Sequence, residues 1–193
     1  MDRRKFTVAA LAALAGVAAA PVVAKEYYNP ETNRWEERAS SSGGRSFKRI
    51  DKQIVPYETT LKVGSIVVET AERRLYLVLP DGEALKYGIG VGRDGFTWSG
   101  THKITRKAEW PDWTPPAEMR KRVPDLPAHM KGGPKNPLGA RALYIGSTLY
   151  RIHGTNEPWT IGGDVSSGCI RMVNDDVIDL YERVKIGAKV IVL

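Results

Sequence analysis

A mainly β domain with one helix is what this 193-residue chain predicts. Three observations carry that expectation. From about Thr59 onward, short β-prone runs alternate with turn signals. A single amphipathic helical stripe occupies residues 175–184. Between the two halves of this pattern runs a stretch, Trp110 to Gly139, dense in proline and glycine. With 42% hydrophobic residues, the chain can bury one sizeable core and still carry tails.

The N-terminus predicts an export signal. Arg3, Arg4 and Lys5 form a basic start, Val8 to Ala20 an apolar run too short to span a bilayer, and Val22-Val23-Ala24 a small-residue cleavage site. The processed chain then begins near Lys25 in the periplasm. The twin arginines followed by Phe6 fit the twin-arginine route, and the general secretory route remains open. Residues 25–58 read as a polar N-terminal arm, with no clear period between Lys25 and Arg38. The arm ends in a flexible linker at Ala39 to Ser46. The folded domain is expected over residues 59–193.

Within it, Ser65–Val68 and Leu75–Leu79 flank a charged turn, and Pro80-Asp81-Gly82 leads into Leu85–Ile89. The glycines at 88, 90, 92 and 95 read as tight β turns rather than a nucleotide loop, since no helix follows them. The Trp110–Gly139 stretch is expected to lack regular structure. Aromatics held among prolines suggest a substrate-shaping lid, with Trp110 and Trp113 as its contact residues; an ordinary packed surface loop is the alternative. Ala142–Ile145 and Leu149–His153 bracket Gly146-Ser147 as a hairpin, with Leu149, Arg151 and His153 on one face. The helix follows from Asn174 as cap, Asp175 and Asp176 at the positive end of its dipole, and Val177, Ile178, Tyr181 and Val184 as its apolar stripe. Lys189–Leu193 closes the chain as a strand.

The formal charge is +7. Residues 1–24 hold Asp2 against Arg3, Arg4 and Lys5, so their removal takes away +2 and leaves +5. The basic residues are scattered, without the basic run or helix that nucleic acid requires. An exported basic protein fits anionic envelope polymers or acidic peptides, or simply a soluble surface.

Cys169 is the one cysteine. In an exported protein a thiol without an internal partner is either inert filler or a reagent. It stands in Ser166-Ser167-Gly168-Cys169-Ile170-Arg171, sixteen positions after His153. Three small residues before the sulfur give backbone room and argue against a packed core strand. An imidazole can take the thiol proton, and a guanidinium favours thiolate or binds a carboxylate. Cys169 is therefore the candidate nucleophile and His153 its base. His102, His129 and His153 are too dispersed for a zinc site, so neither metal nor cofactor is expected. Ser166 and Ser167 lack the elbow of a serine hydrolase.

Taken together, His153-Gly154 and Ser166-Ser167-Gly168-Cys169-Ile170-Arg171 resemble the signature of the L,D-transpeptidases of bacterial cell-wall metabolism. The segments Trp110–Pro116 and Asn136–Leu143 are similar to segments of exported Gram-negative members. The resemblance covers roughly Leu61 to Leu193; Ser167 stands where many members carry histidine. It implies a β-sandwich-like catalytic domain acting as a monomer on peptidoglycan stem peptides. Cys169 would attack the carbonyl after meso-diaminopimelate in a tetrapeptide stem, releasing D-alanine, and an amine of a second stem would resolve the thioester into a 3-3 cross-link. The Gly154 carbonyl would orient His153, and backbone N–H groups at Gly168 and Cys169 would hold the oxyanion. Ser166 and Ser167 would border the substrate, and Arg171 would bind its carboxylate or brace the loop. The same thioester resolved by water gives a carboxypeptidase or endopeptidase, and resolved by an outer-membrane protein's amine it anchors that protein. A non-catalytic wall-binding protein is disfavoured by the intact His153–Cys169–Arg171 set.

Overall fold

The computed structural model describes residues 25–29, 34–38 and 49–193. The expected signal at 1–24 and the Ser/Gly linker lie outside the described residues. The arm is not aperiodic. Strands β1 (Lys25–Asn29) and β2 (Arg34–Arg38) pair antiparallel, with Lys25 opposite Arg38 and Asn29 opposite Arg34.

Nine further strands build one continuous sheet. They are β3 (Gln53–Pro56), β4 (Ile66–Glu69), β5 (Arg74–Val78), β6 (Glu83–Gly88), β8 (Gly100–Glu109), β9 (Arg141–Ile145), β10 (Arg151–His153), β12 (Ile170–Arg171) and β13 (Lys189–Val192). The remaining two, β7 (Val91–Gly92) and β11 (Asp164–Ser166), form a separate parallel pair. Across the large sheet the order is β12-β10-β9-β8-β13-β4-β5-β6-β3. The sheet takes in Gln53–Pro56, which the sequence pattern assigns to the arm.

The ten-residue β8 is the pivot. Its first part pairs with β13 and its second with β9, with a register shift between Ile104 and Arg106. Such a bulge bends a strand and raises its twist. The two halves of the sheet thus enclose one core, in which Ile66, Leu75, Leu77, Tyr87, Ile104, Leu143, Ile145 and Ile152 are all at most 2% exposed. Burial of each such side chain contributes about 1.5–3 kcal/mol. Alternation is visible on β5, where Leu75 and Leu77 are buried and Tyr76 between them is not.

Helix α2 (Asn174–Arg183) packs Val177 and Leu180 into the same core. Its cap differs from expectation. Val173 occupies the cap position without a side-chain bond, and Asn174 turns elsewhere: its Oδ1 accepts from the N–H of Ala140 at 2.9 Å and of Thr155 at 3.2 Å. One amide oxygen thereby satisfies two loop donors at once. Ahead of β3, Arg49 bonds Asp175 and the buried Asp176, each at 3.0 Å, and ties the chain to this helix.

The Pro/Gly-rich segment is also more ordered than its composition suggests. A short helix, α1 (Ala117–Arg122), forms between Pro116 and Pro124 from strong helix formers. Trp113 and Met130 exchange backbone bonds of 2.8 and 2.7 Å. Trp113, Leu126 and Leu138 bury themselves in a small core of their own. The helix after the cysteine loop forms as expected, and it is the expectation of no regular structure over Trp110–Gly139 that this six-residue helix corrects.

Candidate active site

Strand β12 runs parallel to β10 and sets Arg171 opposite His153 and Ile170 opposite Ile152. This pairing carries the Ser166–Cys169 turn to the end of β10, so residues sixteen apart in sequence share one cavity. The glycines at 88, 90 and 92 are not tight turns. Only Gly95 of that set has positive φ, and Gly92 lies where a side chain would strike the Phe96 carbonyl group and Gly168.

The cysteine turn is held from several sides. Ser166 Oγ accepts from the Gly168 N–H at 3.1 Å and donates to the Cys169 carbonyl at 2.5 Å. Gly168 has φ of +101°, and a Cβ there would collide with the Tyr150 ring. The Tyr150 ring stacks on Trp98 at 4.4 Å and 6°, and Trp98 Nε1–H donates to the Gly168 carbonyl at 2.6 Å. The Gly168 N–H, expected among the oxyanion donors, thus already donates to Ser166 Oγ.

His153 is 4% exposed at the end of β10. Its Nδ1 lies 2.5 Å from the Gly154 carbonyl oxygen. A carbonyl only accepts, so Nδ1 carries the proton and Nε2 keeps its lone pair. Burial, reinforced by the charges of Arg171 and Arg151, pushes the imidazole down to about 3. Cys169 is half-buried. Desolvation of the sulfur pushes the thiol up, against the charge of Arg151, the hydrogen bond from the Arg151 backbone, and the charge of Arg171. At neutral pH the two groups therefore rest as neutral thiol and neutral imidazole, a pair suited to concerted proton removal as a bond forms.

Arg171 is 7% exposed, and its Nη1 meets Glu157 Oε2 at 3.1 Å. The guanidinium braces the loop between β10 and β11 through this buried pair while also bordering the cavity.

That cavity measures about 340 Å³. His153, Cys169, Ser166, Ser167 and Arg171 line one side, and Trp113, Pro116, Met119 and Leu138 of the Pro/Gly-rich segment overhang the other. Trp110 is apart from this wall. It is 42% exposed, and its backbone N–H is fixed to Ala140. Gly154 and Gly168 do not line the cavity; the Gly154 carbonyl meets His153, and the Gly168 backbone meets Ser166 and Trp98. Glu157, Arg151, Trp98, Tyr150 and Asn174 are contributors absent from the sequence-based set. Their partners lie far along the chain, so local spacing signals none of them except Arg151, which shares a strand face with His153. Among the described residues, no group of three His, Cys, Asp or Glu could hold a metal ion.

Residues 64–192 match the L,D-transpeptidase catalytic domain family. ErfK/SrfK of Escherichia coli strain K12, named a probable L,D-transpeptidase, is 43% identical over 150 residues, covering 73% of this chain and 47% of its own. The chain spans about half the length of the curated relatives it matches. A Brucella melitensis crystal structure, named as a probable carnitine operon oxidoreductase, is 46% identical with a TM-score of 0.50. It covers 74% of this chain and 93% of its own, and its name stands apart from the family match. The catalytic domain of the Enterococcus faecium L,D-transpeptidase, solved by NMR, aligns with a TM-score of 0.54 at 20% identity. That alignment covers 70% of this chain and 100% of that domain, and it shows the common fold.

Proposed function

Because the chain belongs to the L,D-transpeptidase catalytic domain family, we propose that it is an exported, periplasmic cell-wall enzyme that uses Cys169 to transfer acyl groups between peptidoglycan stems. The observation that carries this reading is the meeting, in one cavity, of the Cys169 thiol and a His153 whose Nδ1–H is fixed by the Gly154 carbonyl. With Nδ1 so occupied, Nε2 is the atom free to take a proton.

The donor's diaminopimelate carbonyl enters the cavity and the sulfur attacks it while Nε2 removes the thiol proton. A tetrahedral oxyanion forms, and the Cys169 N–H stabilises it, since the Gly168 N–H is already engaged. The intermediate collapses by breaking the C–N bond to D-alanine. The imidazolium returns its proton to the departing amine, which leaves a thioester on Cys169. An amine of a second stem then adds to that carbonyl, gives its proton to His153, and expels the sulfur. The products are a 3-3 cross-link and a restored thiol. Trp113 and the segment around it act as the lid over this chemistry.

Incubating the purified chain with a tetrapeptide muropeptide and weighing both protein and products tests the reading. A thioester on the protein, free D-alanine and a dimeric muropeptide are expected, and all three vanish in Cys169→Ala. His153→Ala retains the fold and slows acylation about 10²–10⁴-fold. Cross-linking that persists in Cys169→Ala would sink the mechanism. Release of a tripeptide without dimer would redirect the second step to water.

A further inference from the structure

A second cavity, about 50 Å³, adjoins the first and shares Met119, Arg122, Ser167 and Arg171 with its wall, while Val123 and Val165 add apolar lining. Arg93 completes the polar lining. Three distant parts of the chain converge here: the residue after β7, the end of α1, and β12. Phe96 organises two of the cations. The guanidinium carbon of Arg93 is 5.3 Å from the ring centroid and that of Arg122 is 4.9 Å away. Both lie within the range at which a guanidinium is attracted to the face of a ring.

These two arginines differ from the third. Arg171 is neutralised by Glu157. Among the described residues, no carboxylate makes an ion pair with Arg93 or Arg122. The cavity therefore holds surplus positive charge beside the candidate nucleophile. At about 10–15 Å³ for each water-sized group, it takes one carboxylate with a water or two, and nothing as large as a sugar ring. Planar guanidinium forks match a carboxylate in geometry as well as charge.

We propose that Arg93 and Arg122 form a carboxylate-binding subsite that selects donor stems with a free, unamidated carboxylate. The proposal rests on the transpeptidase reading above. Two groups of the stem share this chemistry, the side-chain carboxylate of diaminopimelate and the α-carboxylate of a γ-linked D-glutamate, and the test separates them.

Three tetrapeptide stems are compared on the full chain: one with both carboxylates free, one amidated at diaminopimelate, one amidated at D-glutamate. Thioester formation is followed by intact mass for the wild type, Arg93→Gln, Arg122→Gln and the double variant. Iodoacetamide alkylation of Cys169 reports that the thiol site is intact in each. Amidation at one of the two positions should slow wild-type acylation about tenfold to a hundredfold. That position identifies the bound group. The double variant should lose as much on the free stem and no longer distinguish that amidated stem from it. Arg122 is exposed on α1, so Arg122→Gln alone makes the comparison should the double variant fail to fold. Equal acylation of the wild type by all three stems, or variants that slow all three by one factor, would overturn the subsite. If no stem forms a thioester while iodoacetamide still alkylates Cys169, the transpeptidase reading falls, and the subsite with it.

Discussion

Replacing Glu157 by Gln removes one charge from a buried pair while keeping nearly the same shape. In the native protein Arg171 Nη1 and Glu157 Oε2 are 3.1 Å apart, with side chains 8% and 4% exposed. At that separation, with an effective dielectric near 20, their attraction is about 5 kcal/mol. Much of it offsets the cost of taking both ions out of water, so the pair adds little against an apolar replacement. Breaking it is another matter. An arginine does not shed its proton, so Arg171 stays charged and uncompensated, at a cost of about 3–5 kcal/mol. For a domain of this size that lowers Tm by roughly 6–20 °C, at about 2–4 °C per kcal/mol. Calorimetry or urea unfolding of Glu157→Gln, Arg171→Met and the double variant measures it. The double variant should recover much of the loss, giving strongly non-additive single effects. Alkylation of Cys169 should also quicken in Glu157→Gln, because the Arg171 charge that favours thiolate is no longer balanced. Additive losses, or a Glu157→Gln protein within about 1 kcal/mol of the wild type, would refute the reasoning, since exposed pairs have about that worth.

Four other outcomes follow from the site. His153 sits at about 3 in the fold and near 6.5 when unfolded, so its contribution is complete above pH 6.5 and lost as pH falls toward 3. The extra slope is up to about 1.4 kcal/mol per pH unit, and a wild-type protein no more acid-sensitive than His153→Gln in urea titrations would contradict it. Alkylation of Cys169 should keep rising past neutral pH; a plateau at acidic pH would instead reveal a resting thiolate–imidazolium pair. Trp113→Ala should open the overhanging segment, seen as faster proteolysis within 110–139 and reduced turnover, because Trp113 is 5% exposed in a core separate from the main one. Trp110→Ala, at an exposed position, should leave proteolysis unchanged. Gly168→Ala introduces about 1–3 kcal/mol of backbone strain besides displacing Tyr150, and a variant that melts and acylates like the wild type would disprove the requirement for glycine there.

Several features were legible in the chain because they depend on neighbours in sequence. The runs at 65–68, 75–79 and 142–145 carry period-two or continuous apolar patterns, and strands form there. The helix after Asn174 has its stripe. The small residues before Cys169 and the histidine-glycine pair mark the candidate site by type and order alone. The six residues of α1 were not legible, because the surrounding prolines and glycines masked their helix propensity.

The rest was decided by contacts between distant segments. Asn174 has the composition of a cap, yet two backbone donors from separate loops claim its oxygen. Gly168 has the form of an oxyanion donor, and only the fold shows its N–H already donating to Ser166 Oγ. Glu157 is one acid among many until parallel pairing of β10 and β12 buries Arg171 beside it. Sequence alone determined which groups could react, because thiol, imidazole and glycine are properties of single residues and short turns. Tertiary structure decided which proton each holds and which donor remains free. Burial and the field of remote charges set those, and they exist only once the chain has closed around the site.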